Sequence, residues 1–214
     1  MRTLQLYYLT AVMYSTDNSF FIWFPFLVKA YSKGLNSSSV GEQGLCSAIE
    51  KSQVIKEISN EVACDPTLDL LTCASTIIPS FLCVVINLTI SKLSSRRKTL
   101  MLVILTSILV CCVGSVLIKN NVVSFLLFIG VLFICLNASM VFSYFTDLYP
   151  TTYRGMVVSL SGMVARSSAL GGTNLVGSFV MTNCSTTFYA WSIYILSGLV
   201  VACFLPPDRP KTTK

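Results

Sequence analysis

The stretch LMLVILTSILVCCVGSVLI, Leu100–Ile118, contains no charged side chain and is long enough for a helix to cross a bilayer. The polar tripeptide Lys119–Asn121 follows, and a second apolar run, Val122–Phe145, begins directly after it. A backbone inside lipid must satisfy its own hydrogen bonds, and a helix does so within one segment. Two such runs with so short a connector therefore predict a membrane-embedded helical hairpin.

Four further apolar runs flank this hairpin and also have lengths near that of a membrane span. They are Leu4–Ala30, Leu71–Ile90, Met156–Met181 and Phe188–Leu205. The runs do not alternate in the way that barrel strands do, so we expect an all-α membrane protein with six transmembrane helices. The predicted organisation comprises a first transmembrane helix at 1–30, an extracellular or lumenal loop at 31–70, five more helices within 71–205 and a cytoplasmic tail at 206–214.

The overall composition supports a membrane protein and excludes several function classes. Hydrophobic residues make up 54% of the 214 residues and charged residues 11%, whereas a soluble domain carries about 25% charged residues. The net charge is +6, but the basic residues form no patch with interleaved aromatics, so no nucleic-acid partner is expected. The chain has no histidine and no visible nucleophile–base pair. We therefore expect no enzyme activity, no metal site and no cofactor.

The positive charges predict the orientation, because Lys and Arg concentrate on the cytoplasmic side of membrane proteins. A basic cluster follows the second run, and its members are Lys92, Arg96, Arg97 and Lys98. If this cluster is cytoplasmic, alternation of the spans places both termini in the cytoplasm as well. The connector 147–154 then lies inside, and the loop 31–70 lies outside.

Residues on the outer side carry the predicted modifications. The sequons at Asn36 and Asn183 both fall outside the membrane, and we predict glycosylation there. Cys46 and Cys64 share the outer loop, where the environment favours disulfides, so we predict that they pair. Two free thiols are the alternative.

Asp17 is the most informative single residue of the chain. It lies near the middle of the first run, where an ionisable group is costly and usually faces a polar cavity or a partner. This predicts a substrate, cation or proton site, and the alternative is a structural polar contact or a position nearer the membrane edge. Trp23, Asn137 and Tyr144 are predicted to line the same cavity. Interfacial placement of the tryptophan and hydrogen bonds between helices are the alternatives for these three.

The connector DLYPTTYRG, Asp147–Gly155, resembles the acid-x-x-Pro-Thr-x-x-Arg-Gly signature of major facilitator superfamily transporters, which lies between their transmembrane helices ten and eleven. Two further stretches are similar to motifs of the branch that contains organic ion transporters and synaptic vesicle glycoprotein 2. Ile22–Pro25 is similar to its seventh helix, and Gly162–Arg166 to its eleventh. The segment Ser91–Arg97 is the counterpart of a cytoplasmic signature of the family, but Ser91 replaces its acid.

The resemblance implies that the six runs correspond to helices seven to twelve of the major facilitator fold. Such proteins move small solutes by alternating access around a site near the bilayer midplane. The resemblance therefore implies a transporter of a small organic solute, present here as a half or fragment. It also implies a cytoplasmic gate, formed by Asp147, Pro150, Arg154, Gly155, Arg166, Arg96 and Arg97.

The expected partners are the lipid bilayer, the solute and either a missing N-terminal half or a second copy of the chain. The plasma membrane or a vesicle membrane is the expected location. A non-transporting membrane glycoprotein with a receptor-like or regulatory role is the alternative function, and Ser91 mildly favours it.

Overall fold

The structure is a computed structural model, and it describes residues 2–36, 46, 70–92, 97–118, 120–180 and 182–205. These ranges consist almost entirely of helix and contain no strand, which confirms the all-α prediction for the described residues. The helices are α1 (Arg2–Asn36), α2 (Leu70–Lys92), α3 (Arg97–Leu117), α4 (Asn121–Val131), α5 (Cys135–Leu148), α6 (Thr151–Phe179) and α7 (Cys184–Cys203). A 3₁₀ segment, Leu132–Ile134, joins α4 directly to α5, so the two helices form one interrupted span.

Three stretches among the described residues are long and apolar enough to cross a membrane. They are Lys98–Leu117, Val122–Thr146 and Cys184–Cys203. Helix α2 contributes a shorter apolar stretch, Thr76–Ile90. Helices α1 and α6 exceed spanning length but carry more polar side chains. The membrane assignment thus has direct support from three helices, and a total of six spans stays a prediction.

Two connectors have simple local causes. The Asn120 side chain accepts a hydrogen bond from the backbone N–H of Val122 at 3.2 Å, which caps α4 and closes the hairpin turn after α3. Pro150 lies immediately before α6 and has no N–H with which to continue α5. The preceding Tyr149 is accordingly extended, as the steric bulk of a following proline favours.

Helix α1 runs parallel to α6 along most of its length. Near one end, the Tyr7 hydroxyl donates to the Val157 carbonyl oxygen at 3.4 Å. Toward the other end, the Trp23 indole N–H donates to the Thr173 carbonyl oxygen at 3.1 Å. Gly172 lies between these contacts against α1, and its lack of a side chain lets the two backbones approach closely.

Aromatic rings from α1, α4 and α7 form the centre of the core. The ring centroid of Phe20 lies 5.4 to 6.0 Å from the ring centroids of Phe128, Phe188 and Trp191. The Phe20 side chain is fully buried. Rings packed edge to face or tilted at such distances add to the stability gained from their burial. This cluster joins helices that are far apart in sequence, and it fixes the position of the middle of α1.

The end of the first helix differs from the predicted one. Helix α1 continues to Asn36, so it takes in the first residues of the predicted loop 31–70. Most of that loop and the predicted tail 206–214 lie outside the described residues.

The disulfide pattern corrects the sequence prediction. Cys46 is bonded to Cys184, the first residue of α7, with 5.5 Å between their Cα atoms, so the predicted Cys46–Cys64 pair is wrong. Cys64 itself lies outside the described residues. A second disulfide joins Cys83 of α2 to Cys135 of α5, although both cysteines look like ordinary apolar residues of their spans in the sequence. Both bonds depend on which helix ends and faces meet in the fold, and cysteine spacing does not encode this.

Candidate functional site

A band of polar side chains crosses the middle of α1, from Ser15 to Ser19. Thr16 accepts a hydrogen bond from the Trp191 indole N–H at 3.1 Å, and Ser15 donates to the Tyr194 hydroxyl at 3.3 Å. The Asn18 amide donates to a backbone carbonyl of its own helix. Structural contacts with α7 or with the helix itself therefore account for most of the band. Asp17 is different, because no described residue forms a hydrogen bond or an ion pair with its carboxylate.

Contacts on either side of Asp17 define its level in the bundle. Three residues before it, the Tyr14 ring packs edge to face against Phe142 of α5, with centroids 6.1 Å apart. Three residues after it, Phe20 packs against Phe128 of α4 at 6.0 Å. Asp17 therefore lies level with the part of the interrupted span between these two phenylalanines, which includes the 3₁₀ segment. The carboxylate is partly buried there.

Asn137 lies within the same stretch of the interrupted span. It is 0% exposed, and neither its amide nitrogen nor its amide oxygen has a hydrogen-bond partner within the described part of the chain. Leaving a buried polar group without a partner costs about 1–3 kcal/mol. Because Asn137 is sealed from the surface in this conformation, its predicted role in lining a cavity stays a prediction.

Replacing Asn137 by leucine is expected to leave the melting temperature in detergent unchanged or to raise it. Leucine has a similar size and removes the cost of burying unpartnered amide atoms. Asn174→Leu is the matched control, because Asn174 is exposed on α6 and its substitution relieves no such cost. A clear fall in the melting temperature of Asn137→Leu alone would show that the amide has a partner.

Trp23 and Tyr144 occupy different environments. The Trp23 indole lies in the α1–α6 interface, where its N–H is engaged by Thr173 and its ring abuts Gly177. It thus joins two helices, a role that the sequence did not predict. Tyr144 is buried in α5. The cavity-lining role predicted for both residues stays a prediction.

The structure describes the side chains of some, but not all, residues of the predicted cytoplasmic gate. Arg154 is partly buried at the start of α6, and its Nε atom has no hydrogen-bond partner within the described ranges. Pro150 and Gly155 are exposed beside it. The Tyr149 hydroxyl donates to Thr3 at 2.6 Å, which ties this connector to the beginning of α1. The side chains of Asp147, Arg96 and Arg97 lie outside those described.

Arg166 does not lie with the other predicted gate residues. It follows Arg154 by twelve residues on the same helix, a separation of about 18 Å along the axis at 1.5 Å per residue. Its side chain is exposed near the middle of α6. The structure therefore does not bring Arg166 to the end of the bundle that the signature occupies.

Of the two predicted glycosylation sites, the structure describes the side chain of Asn183 but not that of Asn36. Asn183 is exposed in the turn between α6 and α7, and its backbone N–H donates to Phe179 at 2.8 Å. Asn36 is the last residue of α1, and its side chain lies outside those described. Glycosylation at both stays a prediction.

A polar link between α2 and α5 was not expected from the sequence. The Ser139 hydroxyl donates to the Asn87 side-chain oxygen at 3.0 Å. Polar residues in both runs are visible in the sequence, but which pairs meet depends on how the helices pack. The link lies one turn beyond the Cys83–Cys135 disulfide on each helix.

Comparison with known proteins gives one distant relative and no family model. The chain is similar to a synaptic vesicle 2-related protein. That protein is from Rattus norvegicus, and the two sequences are 24% identical over 188 residues. The alignment covers 87% of this chain but 34% of the rat protein, so the chain spans about a third of that relative's length. No family model and no solved structure matches the chain.

Proposed function

We propose that this chain is part of a membrane transporter that moves a small organic solute by alternating access. The observation that carries the proposal is Asp17, a partly buried acid in the middle of α1 that no described side chain neutralises. An acid at this depth is costly unless it binds something, such as a proton, a cation or a positively charged part of a solute. The distant similarity to the rat synaptic vesicle 2-related protein supports a transporter-type scaffold.

The helix arrangement around Asp17 also supports transport. The span opposite Asp17 is interrupted by the 3₁₀ segment Leu132–Ile134. A short 3₁₀ stretch within a helix often marks a functional hinge, and transporter sites commonly lie beside irregular helices near the bilayer midplane. In this proposal the α4–α5 span and the middle of α1 form one wall of the solute site.

A second unit is expected to complete the site. Arg166 and Asn174 are exposed on α6, and such side chains are costly in lipid. A separate N-terminal half or a second copy of this chain would cover them.

Asp17→Asn in the complete assembly is expected to abolish uptake without loss of surface expression, because the amide cannot carry the negative charge. Uptake is measured in cells with a panel of radiolabelled small organic cations, zwitterions and anions. Asp17→Glu is the matched control and is expected to keep part of the uptake, since it retains the carboxylate. Unchanged uptake by Asp17→Asn would reject Asp17 as the site.

The second candidate is a non-transporting membrane glycoprotein with a receptor-like or regulatory role on the same scaffold. Ser91 favours it, because the family signature that this segment resembles has an acid at that position. The same uptake panel separates the two functions. Uptake above background by the unmodified assembly rejects the second candidate, whereas its absence across the whole panel supports it.

A further inference from the structure

Two opposite charges, Asp17 and Arg166, lie unpaired in the middle of their helices. Asp17 is near the centre of α1 and Arg166 is near the centre of α6. Within the described part of the chain, neither side chain forms an ion pair or a hydrogen bond. A charged side chain at the centre of a membrane helix is costly unless it meets a partner or a polar cavity. Each of the two residues therefore requires a neighbour that the described helices do not supply.

The contacts between α1 and α6 show that the two charges lie at about the same depth. Two hydrogen bonds between these helices join residues whose numbers differ by 150, and they are those of Tyr7 with Val157 and of Trp23 with Thr173. The helices therefore run parallel and advance in step between the two bonds. On this register, Asp17 is level with residue 167, which is the neighbour of Arg166 in the chain.

Asp17 and Arg166 do not meet within one copy because Asp17 is on another side of α1. Tyr14 and Phe20, three residues before and after Asp17, both pack against the α4–α5 span. Asp17 is therefore on the side of α1 that borders this span. Phe21, one turn further along α1, is 47% exposed, so this side of the helix reaches the surface of the bundle. Arg166 is exposed on α6.

The surface of α6 beside Arg166 consists of small residues. Gly155, Ser159 and Gly162 precede Arg166 by 11, 7 and 4 residues, a spacing that places all four on one side of the helix. A Cβ atom at Gly155 or Gly162 would have no neighbour within 4 Å, so packing within the described chain requires neither glycine. Small residues at such spacing let a second membrane helix approach closely.

We propose that this side of α6 is the interface of a symmetric dimer, in which Arg166 of each copy pairs with Asp17 of the other. Two copies with the same membrane orientation are related by a two-fold axis along the membrane normal, and rotation about this axis leaves depth unchanged. Because Asp17 and Arg166 lie at the same depth in one copy, the same ion pair forms twice across the axis.

This charge complementarity selects a second copy of the chain as the occupant of the α6 surface. One contact neutralises both charges of both copies, and the small residues beside Arg166 give the approaching helix room. The inference rests on the proposed function only in that a second unit covers α6. It is compatible with a solute site at Asp17, since a cationic solute can replace the arginine there.

The first test is cross-linking between two differently tagged copies of the full chain in native membranes. One copy carries Asp17→Cys, the other carries Arg166→Cys, and a short bifunctional thiosulfonate reagent links thiols that lie close together. We expect a product that contains both tags, since the reciprocal Asp17–Arg166 pair stays intact and holds the dimer. Tagged copies without introduced cysteines give the background from the chain's own thiols.

Gly171→Cys in place of Arg166→Cys is the matched control for the cross-linking. Gly171 is exposed and has open space around it, but it follows Arg166 by five residues and so points about 140° away around α6. We expect no product above background with this position. Equal products from Gly171→Cys and Arg166→Cys, or none from either, would overturn the proposed interface.

The second test measures the association constant of the dimer in lipid vesicles, by energy transfer between labelled copies. Arg166→Asp places two acids opposite each other, and we expect the constant to fall at least about tenfold. Asp17→Arg is expected to have a similar effect, and the two substitutions together are expected to restore association. A double variant as weak as either single variant would contradict the direct pairing.

A steric pair of variants tests the small-residue surface without changing charge. Gly162→Leu is expected to weaken the dimer, because its side chain fills the space that the second copy occupies, whereas Gly171→Leu is expected to leave the association constant unchanged. The proposal fails if the unmodified chain stays monomeric, which is the result expected when a separate N-terminal half covers α6. Association needs no transported solute, so a dimer without uptake supports this inference and counts against transport. Uptake by an assembly that contains a single copy of this chain overturns the inference and leaves the proposed function standing.

Discussion

Replacing Gly172 by valine is expected to push α1 away from α6 and to remove most of the folded protein. A Cβ atom at this position would lie 2.5 Å from the Ser19 hydroxyl oxygen and 2.9 Å from the Ser15 carbonyl oxygen. The serine hydroxyl can rotate away, but the carbonyl belongs to the backbone of α1 and cannot. Overpacking typically costs about 1–3 kcal/mol, and a backbone clash along the longest helix contact belongs at or above the upper end of that range.

Gly171→Val is the matched control for this substitution. A Cβ atom at Gly171 would have no neighbour within 4 Å, and the residue is exposed on the same helix turn. Both variants change the intrinsic helix propensity in the same way, so their difference reports only the contact with α1. The measurements are the monodisperse fraction on size exclusion in detergent and the melting temperature. Equal values for the two variants would contradict the close α1–α6 contact.

Trp191→Ala is expected to lower the free energy of unfolding by about 3–5 kcal/mol, the usual cost of removing a large buried aromatic side chain. Trp191 is 8% exposed, and its ring lies 5.9 Å from those of Phe20 and Tyr194. Its indole N–H also donates to Thr16 at 3.1 Å. The alanine variant loses these contacts together and leaves a cavity between α1 and α7.

Two further substitutions test whether the loss of stability is specific to the Trp191 side chain. Tyr189→Ala removes an exposed aromatic ring from the same helix and is expected to cost much less. Trp191→Phe keeps an aromatic ring but loses the hydrogen bond to Thr16, and it is expected to cost about 1 kcal/mol beyond the loss of ring volume. Thermal unfolding in detergent ranks the three variants by their stability. A Tyr189→Ala variant as unstable as Trp191→Ala would contradict the predicted core.

Much of the helical pattern was predictable because long apolar runs have few structural options within a membrane. Leu100–Ile118 and Val122–Phe145 predicted a hairpin, and the structure has α3 and the interrupted span at these positions. The polar tripeptide Lys119–Asn121 also predicted where this hairpin turns, and in the structure the Asn120 side chain caps α4. The interruption itself was not predictable, because no residue of the 3₁₀ segment breaks a helix by its own preference.

The candidate site was predictable in part. Asp17 stands out in the sequence, because an acid within an apolar run is rare, and the structure places it level with the interrupted span. The sequence could not show that the side-chain amide of Asn137 is buried without a hydrogen-bond partner among the described residues. Arg166 was assigned to the gate from a motif, yet helix geometry places it about 18 Å from Arg154.

The sequence by itself determined that the chain is helical and suited to a membrane, and it identified the acid that a function must explain. These properties follow from the composition and length of individual segments. The tertiary structure alone decided the partners: Cys46 with Cys184, Cys83 with Cys135, and Trp191 with Thr16. Each of these pairs joins residues far apart in the chain. Their contact depends on the free energy of packing whole helices together, which no local sequence pattern records.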